Sequence, residues 1–451
     1  MVEYARTDFG NFILKEGSLD MSYLNMSSAE LESELNSLRQ RYQDYKALNL
    51  NINMKRGQPS PEQLDLSNHL FDGIADSGYK AADGGDVRNY GNPAGLAEAR
   101  KVFADIIGTD ADNCFLGNSS SLNMMFDTLM RAMVFGEIDS DKPWSQIEGR
   151  KWLCPAPGYD RHFRVTETLG FELILVPMTE NGPDMDIVEK LVAEDDKILG
   201  IWNVPCYTNP DGVVYSEETC KRLANMKTAA KDFRIIWDNA YVCHHLFDEE
   251  ENRGNLPDML SLCAEAGYPN RVYEFASSSK VTFAGGGLSC LAANKDNLER
   301  AKKYMGVQAI CSNKVNQFAH VRFLPDAKAV DDIMKKHAAI LRPKFKTVID
   351  ILDEEFGENK DICRWTNPKG GYFISFYALP GTAAKTVAMC ADAGIALTPA
   401  GASFPYGKDP NDTNIRLAPS FPQVEEIEKA IRILSVCAKI TAVEKLLEEK
   451  Q

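Results

Sequence analysis

The segments Ile198-Leu-Gly-Ile-Trp-Asn-Val-Pro205 and Arg234-Ile-Ile-Trp-Asp-Asn-Ala-Tyr241 decide the fold class. Each is a short apolar run that turns polar at its C-terminal end, as expected for a strand buried on both faces. Five further runs share this pattern and alternate with helical periodicity; they occupy residues 113–117, 151–155, 172–178, 272–277 and 288–293. Seven such strands separated by helices predict an α/β fold with a mostly parallel, seven-stranded sheet between layers of helices.

The two ends of the chain predict a second, smaller α+β domain. A helix is expected over residues 27–50, because Ser27 and Glu30 form a capping box ahead of a leucine stripe. A long helical stretch over residues 327–355 is expected to be interrupted at Pro343, and an amphipathic helix over 424–449 closes the chain. We expect three regions: an N-terminal arm and part of the small domain (1–62), a large domain (63–325), and an interdomain helix with the C-terminal small domain (326–451).

The composition argues against several classes of partner. The 451 residues carry a formal net charge of −15, and 44% of them are hydrophobic. Without basic clusters, this acidic balance disfavours nucleic acid and anionic membranes as partners. No apolar run approaches the roughly 18 residues that a membrane-spanning helix needs, and the first residues lack the pattern of a secretion signal. We therefore expect a soluble, cytoplasmic protein that binds neither a membrane nor nucleic acid.

The spacing of cysteine and histidine argues against disulfide and metal sites. The eleven cysteines are scattered and include no Cys-x-x-Cys pair, a pattern typical of free thiols in a reducing compartment. His244 and His245 are the only neighbouring histidines. On a strand their side chains would point to opposite faces, so they could not bind one ion together. We expect no bound metal.

The first predicted strand is followed by Gly117-Asn-Ser-Ser-Ser121, directly before a helical pattern. Small hydroxyl residues at a helix N-terminus offer free backbone N–H groups and side-chain donors, which suits a phosphate group. Taken alone, the segment fits equally well a helix start with several capping residues. The glycine-rich nucleotide fingerprints are missing, so a phosphate bound here would belong to another kind of ligand.

Two charged residues follow other predicted strands. Asp238 lies at the end of one run, and Lys280 follows another in Ser277-Ser-Ser-Lys280. Taken singly, such an acid is more often a helix cap, and such a lysine is more often a solvated loop residue. Ligands of parallel sheets, however, bind beyond the carboxyl ends of the strands. A phosphate cup, a buried acid and a desolvated lysine at that edge together suit pyridoxal phosphate.

Over nearly its whole length the chain resembles the pyridoxal-phosphate-dependent aminotransferases of the aspartate aminotransferase fold, class I/II. The segment from Pro205 to Gly212 is similar to the family's Asn-Pro-x-Gly turn, Asp238-Asn-Ala-Tyr241 to its Asp-x-x-Tyr element, and Ser277-Ser-Ser-Lys280 to its Ser-x-x-Lys element. The resemblance implies that Lys280 holds the cofactor as a Schiff base and that Asp238 pairs with the pyridinium nitrogen. It also implies that Asn209 and Tyr241 contact the phenolate oxygen.

Further segments of the resemblance imply contacts to the phosphate, the ring and the substrate. The implied contacts are Asn118, Ser119 and Ser120 in the phosphate turn, Ser277 beside them, Tyr159 stacked on the ring, Tyr90 reaching the phosphate of a partner subunit, Gly57 lining the substrate pocket and Arg416 binding the substrate carboxylate. The role of Tyr90 implies a homodimer.

The chain departs from the family pattern after Lys280. Many relatives carry an arginine shortly after this lysine that pairs with the phosphate, and here the stretch reads Gly285-Gly-Gly-Leu-Ser289. The phosphate charge must then be met by backbone N–H groups, hydroxyls and the helix dipole, or by a base placed elsewhere. The Lys-Arg-Gly-Gln-Pro string and the Ser-Ser-Ser-Lys-Val-Thr-Phe string most resemble the divergent subgroup Ic of aspartate aminotransferases.

The activity that the resemblance implies is ping-pong transfer of an amino group between an L-amino acid and a 2-oxo acid. Aspartate or glutamate is the expected donor, and pyridoxal 5′-phosphate is the expected cofactor. A lyase or decarboxylase on the same scaffold is an alternative, because a fold does not fix the reaction type. A ligand-sensing regulator is another, but it would need a DNA-binding domain before the sheet, and the first hundred residues show no basic recognition helix.

Overall fold

The computed structural model describes residues 22–357 and 359–450. Part of the expected N-terminal arm, including the first residues that lack a secretion signal pattern, therefore lies outside the described residues. The strands are β1 (Ile52–Asn53), β2 (Cys114–Leu116), β3 (Lys151–Ala156), β4 (Glu172–Thr179), β5 (Gly182–Pro183), β6 (Ile198–Asn203), β7 (Arg234–Asp238), β8 (Val272–Ser277), β9 (Ser289–Ala292), β10 (Cys363–Trp365), β11 (Ile374–Ala378), β12 (Ile395–Ala396) and β13 (Asn414–Leu417).

The α-helices lie between these strands and after them. They are α1 (Ser28–Lys46), α2 (Pro61–Asp65), α3 (Ala97–Ile107), α4 (Ser121–Phe135), α5 (Asp160–Thr168), α6 (Met185–Glu194), α7 (Glu217–Asn225), α8 (Met259–Glu265), α9 (Lys295–Ala309), α10 (Lys314–Phe323), α11 (Ala327–Phe356), α12 (Ala383–Asp392) and α13 (Val424–Glu449). Within the described residues, no helix is both long and apolar enough to span a membrane.

One large sheet contains all seven predicted strands, in the order β2-β9-β8-β7-β6-β3-β4, so the predicted α/β fold is confirmed. The two-residue strand β5, which was not predicted, extends the edge of the sheet and runs antiparallel to β4. The pairs β3–β4, β3–β6, β6–β7 and β7–β8 are parallel, whereas β9 runs antiparallel to both β8 and β2. The carboxyl ends of β3, β6, β7 and β8 therefore meet at one edge of the sheet.

Two smaller sheets combine residues from both ends of the chain. Strands β10, β11 and β13 form an antiparallel sheet, and β1 pairs in parallel with β12. One hydrophobic core joins leucines of α1 to apolar residues of α11, β11 and α13. This arrangement is consistent with a small domain built from both termini, while the boundaries at residues 62 and 325 stay predictions.

Helix α11 contradicts the expected interruption at Pro343. The helix runs unbroken from Ala327 to Phe356 with Pro343 inside it. Proline lacks the N–H that would bond the preceding turn, which weakens a helix locally. Here Leu341 and Phe345 on either side of it are buried in the core, and the Thr347 hydroxyl donates to the Pro343 carbonyl at 2.9 Å. Tertiary packing therefore holds the helix through the proline.

A buried ion network connects α1, α11 and α13. Glu355 on α11 is 3.0 Å from Arg41 on α1 and 2.8 Å from Lys439 on α13. The side chains of Glu355 and Lys439 are each only 8% exposed. Burial by itself raises the pKa of Glu355, but Lys439 and Arg41 outweigh burial, so the pKa lies below its ordinary value. The carboxylate is thus stabilised in its charged form.

We predict that Glu355→Gln lowers the free energy of unfolding at pH 7 by about 3 kcal/mol, because it leaves Lys439 buried without its partner charge. The pKa of Glu355 is lowered by folding, so its contribution is present above about pH 4.3 and is lost as the pH falls further. Urea unfolding at pH 7 and at lower pH measures both effects. The matched control is Glu354→Gln, an exposed partner of Arg432, which should change stability by less than about 1 kcal/mol. Equal losses in the two variants would contradict the prediction.

Candidate active site

The shared edge of the large sheet brings several candidate residues together. Asp238 is the last residue of β7, and Ser277 is the last residue of β8, three positions before Lys280. Tyr159 follows β3 as the N-cap of α5, and Asn209 lies in the turn after β6. Because these strands are parallel neighbours, their following residues converge on one side of the sheet.

Asp238 is a buried carboxylate with one free oxygen. It is 4% exposed, and its Oδ2 lies 3.0 Å from Nε2 of His162. The His162 ring stacks on Trp202, with centroids 4.3 Å apart and an angle of 10° between planes. Oδ1 of Asp238 is buried and has no hydrogen-bond partner among the described residues. A buried, unpaired carboxylate oxygen is costly, so this side of Asp238 fits a ligand that donates a hydrogen bond.

Lys280 is half-buried beside two tyrosines. Its Nζ lies 4.8 Å from the centroid of the Tyr241 ring. Burial, with a smaller contribution from Asp238, raises the pKa of Tyr241. Burial raises the pKa of Tyr159 to about 12, although the positive charge of Lys280 by itself lowers it. Tyr159 also meets His162 edge to face at 4.9 Å. Lys280, Tyr241, Tyr159 and Asp238 thus form one electrostatically coupled cluster.

Arg416 extends this cluster from the small antiparallel sheet. Its Nη1 donates to Asn209 Oδ1 at 3.3 Å and to Asp160 Oδ1 at 3.0 Å, and Nη2 donates to Thr398 Oγ1 at 3.3 Å. Its guanidinium lies 5.1 Å from the centroid of the Phe373 ring. A Cβ on Gly57 would lie 2.5 Å from that ring. A side chain at position 57 would therefore collide with the ring that packs on Arg416.

The segment Asn118–Ser120 forms an open cup at the start of α4. All three residues are exposed, and Ser120 is the N-cap but its side chain makes no capping hydrogen bond. The Ser279 hydroxyl donates to the Ser119 carbonyl at 2.9 Å, and Ser279 Oγ lies 2.8 Å from Ser277 Oγ. The cup therefore lies against the segment that carries Lys280. Uncapped N–H groups at a helix N-terminus suit a phosphate.

Comparison with known proteins identifies the family. The family model described as aspartate amino-transferase matches residues 26–450. An aspartate aminotransferase of Corynebacterium glutamicum is 46% identical over 407 residues, which cover 90% of this chain and 93% of that protein. The chain belongs to the aspartate aminotransferase family. The recognised family and the aminotransferase activity are thereby confirmed.

Solved structures agree with this assignment to the aminotransferases. The crystal structure of an aspartate transaminase from C. glutamicum matches with a TM-score of 0.92 at 43% identity, covering 95% of this chain and all of that one. The α-aminoadipate aminotransferase of Thermus thermophilus, complexed with N-(5′-phosphopyridoxyl)-L-leucine, matches with a TM-score of 0.69 at 21% identity, covering 95% and 97% of the two chains. This second likeness shows the shared fold.

Two ionisable residues of this candidate site were not predicted from the sequence. His162 contacts Asp238, and Asp160 contacts Arg416. Both lie in the first turn of α5, directly after Tyr159. The sequence signal that could have found them is the polar first turn of α5, which follows the carboxyl end of β3 at the edge of the sheet where the site lies. Tyr90 is not drawn into the cluster: its side chain is 75% exposed at the surface.

A buried polar network supports the Lys280 segment from behind. The Tyr372 hydroxyl donates to the Lys280 carbonyl at 3.4 Å, and Gln63 Nε2 donates to the Tyr372 oxygen at 3.0 Å. Gln63 Nε2 also lies 3.0 Å from Nδ1 of His337, whose Nε2 is 3.0 Å from the Val281 carbonyl. Residues from α2, α11 and the loop before β11 thus hold the backbone of Lys280 and Val281 in place.

Beside Asp238, the buried Glu274 carries a carboxyl group with an unusual pKa. Glu274 on β8 accepts a hydrogen bond from Asn239 Nδ2 at 2.9 Å and is 2% exposed. Burial raises the pKa of Glu274 to about 8. The folded protein therefore holds this proton more tightly than the unfolded chain does, which ties part of its stability to pH.

We predict that the free energy of unfolding falls as the pH rises from about 4.3 toward 8. Over this range the unfolded chain releases the proton of Glu274, whereas the folded protein retains it. Glu274→Gln removes this dependence, so its free energy of unfolding relative to the wild type should improve by about 1 kcal/mol or more between pH 5 and pH 8. Denaturant titrations at several pH values measure the difference. Glu265→Gln, at an exposed position of α8, should leave the pH profile unchanged. Parallel profiles for wild type and Glu274→Gln would refute the assignment.

Proposed function

We propose that this aminotransferase uses pyridoxal 5′-phosphate to move an amino group between aspartate or glutamate and a 2-oxo acid. The observation that carries the proposal is the buried Asp238 with one unpaired oxygen, in one cluster with Lys280. The residues fit the cofactor: an anion for the ring nitrogen, an amine, two tyrosines and an open helix N-terminus for the phosphate. The dicarboxylic substrates are proposed from the aspartate aminotransferase of C. glutamicum, 46% identical to this chain.

Each residue has a defined task in this proposal. Pyridoxal phosphate, when bound, supplies the electron sink for the substrate α-carbon. Lys280 would hold the cofactor covalently, and its Nζ, when free, would carry the proton of the substrate α-carbon. Asp238, held by His162, keeps the ring nitrogen protonated because its negative charge favours the cationic form. Tyr159 would pack against the ring, and Asn209 and Tyr241 would contact its oxygen.

The remaining site residues hold the phosphate and the substrate. The backbone N–H groups of Asn118, Ser119 and Ser120 and the hydroxyls of the two serines, with Ser277 close by, would bind the phosphate at the positive end of the α4 dipole. Arg416 binds the substrate α-carboxylate with its planar guanidinium and thereby orients the Cα–H bond. Gly57 leaves room for the Phe373 ring beside that carboxylate site.

A homodimer in the cytoplasm completes the proposal. The phosphate cup is exposed, and so are Tyr90 (75%), Val307 (88%) and Ile310 (60%). Asn313, three residues after Ile310, donates its backbone N–H to Asn118 Oδ1 at 3.2 Å, so this apolar surface adjoins the cup. A partner subunit would cover both and bring its Tyr90 to the phosphate. All eleven cysteines are free thiols, which suits a reducing compartment.

We predict that borohydride reduction of the yellow holoenzyme links the cofactor to Lys280, as identified by mass spectrometry of the peptide. Lys280→Ala should lose this adduct together with amino transfer from aspartate to 2-oxoglutarate in a coupled assay. Lys295→Ala, at an exposed position on α9, serves as the control and should keep both. If Lys280→Ala kept both the adduct and full turnover, the proposed function would be rejected. If the wild type released carbon dioxide from the amino acid instead of forming a 2-oxo acid, it would be a decarboxylase.

We also predict that Asp238→Asn slows the half-reaction with an amino acid by about two orders of magnitude or more, because the amide cannot stabilise a protonated ring nitrogen. Cofactor affinity, measured by equilibrium titration, should fall as well. The exposed Asp296→Asn is the matched control. Near-normal single-turnover rates in Asp238→Asn would show that the ring nitrogen does not depend on this carboxylate.

A further inference from the structure

Arg416 is a buried cation that already has an anion beside it. The residue is 7% exposed, and Asp160 is the only carboxylate within ion-pair distance among the described residues, at 3.0 Å from Nη1. Nε of Arg416 is buried and has no hydrogen-bond partner in the described part of the chain. A buried charge without a counter-charge is strongly unfavourable. Asp160 therefore neutralises the same guanidinium that the proposed function assigns to the substrate carboxylate.

Asp160 also has a second cation within reach. Its Oδ2 lies 3.9 Å from Nε of Arg161, the next residue on α5. The Asp160 side chain is 28% exposed and that of Arg161 is 52% exposed, so both can move at the rim of the site. The backbone of Asp160 is fixed in the first turn of α5. Oδ2 of Asp160 therefore already lies near Arg161 while Oδ1 is paired with Arg416, so a carboxylate that leaves Arg416 has a second cation beside it.

We propose that Asp160 is an exchangeable anion that occupies Arg416 in the absence of substrate and transfers to Arg161 when a substrate carboxylate binds. This inference rests on the proposed function, in which Arg416 binds that carboxylate. The exchange keeps Arg416 paired at every stage, and it leaves Asp160 paired as well. Competition by Asp160 weakens substrate binding, and its return to Arg416 helps the product leave.

The alternative is that Asp160 only holds Arg416 in place. The two roles differ in the sign of one effect. A positioning contact strengthens substrate binding, so its removal weakens binding. A competing anion weakens substrate binding, so its removal strengthens binding. The variant Asp160→Asn separates them because it removes the charge and retains the size and a hydrogen-bond acceptor.

The experiment titrates the holoenzyme with propionate and with succinate, which lack an amino group and cannot react, and measures binding by isothermal titration calorimetry. We expect Asp160→Asn to bind both about five- to tenfold more tightly than the wild type, a typical size for a coupling of this kind. The control Glu167→Gln removes an acid from the same helix, where it pairs with Arg164, and should leave the affinity unchanged. Unchanged or weaker binding in Asp160→Asn would overturn the proposal.

A double-mutant cycle tests the transfer to Arg161. Arg161→Leu should weaken carboxylate binding about threefold, because the displaced Asp160 loses its second partner, and it should have no effect in the Asp160→Asn background. Arg164→Leu, an exposed arginine one turn further along α5, controls for the loss of a positive charge. Equal effects of Arg161→Leu in both backgrounds would show a general charge effect and no exchange.

The variant Arg416→Leu distinguishes failure of the exchange from failure of the proposed function. If the wild type binds carboxylates, Arg416→Leu does not, and Asp160→Asn binds no more tightly, only the exchange is wrong. If Arg416→Leu binds carboxylates and turns over aspartate like the wild type, Arg416 is not the carboxylate site. Both the assignment of Arg416 and the exchange built on it then fail.

Discussion

The site depends on a single constraint: Asp238 is an anion at the end of a strand that is buried on both faces. A carboxylate in such a position needs hydrogen-bond donors or cations, and they must come from other elements because its own strand offers none. His162 from α5 supplies one, and the stacked Trp202 from β6 fixes the imidazole. The parallel order β8-β7-β6-β3 makes this possible, since it places the ends of these strands side by side.

The fold was largely predictable because its signals are local. The run at residues 272–277 coincides with β8, the capping box of Ser27 and Glu30 is present, and the closing helix α13 spans residues 424–449 as expected. The helix predicted over residues 27–50 starts at Ser28, with Ser27 as its N-cap, and ends at Lys46 rather than at residue 50. The predicted interruption at Pro343 was wrong, because the low helix propensity of proline does not take into account the core packing that holds α11.

The arrangement of the candidate site was predictable to a lesser extent, and for a physical reason. Asp238 ends a strand, and Lys280 and Asn209 follow strands, so the topology alone places them at one edge. The contacts of Asp160 and His162 link residues 256 and 76 positions apart in sequence, and no periodicity encodes such pairs. Gln63 and Tyr372, which support Lys280, likewise come from opposite ends of the chain. The charges and hydrogen bonds that hold the site are therefore products of tertiary structure.

The joining of both termini in one core has a consequence for synthesis. Helix α1 packs on α13, with Arg39 paired to Glu444, and β1 pairs with β12. At about 5–20 residues per second, the ribosome needs tens of seconds to make the chain between these partners. Until then, the part of the core that α13 contributes around Leu31, Leu35 and Leu38 is missing. The apolar face of α1 therefore stays incompletely covered until the last helix of the chain has been synthesised.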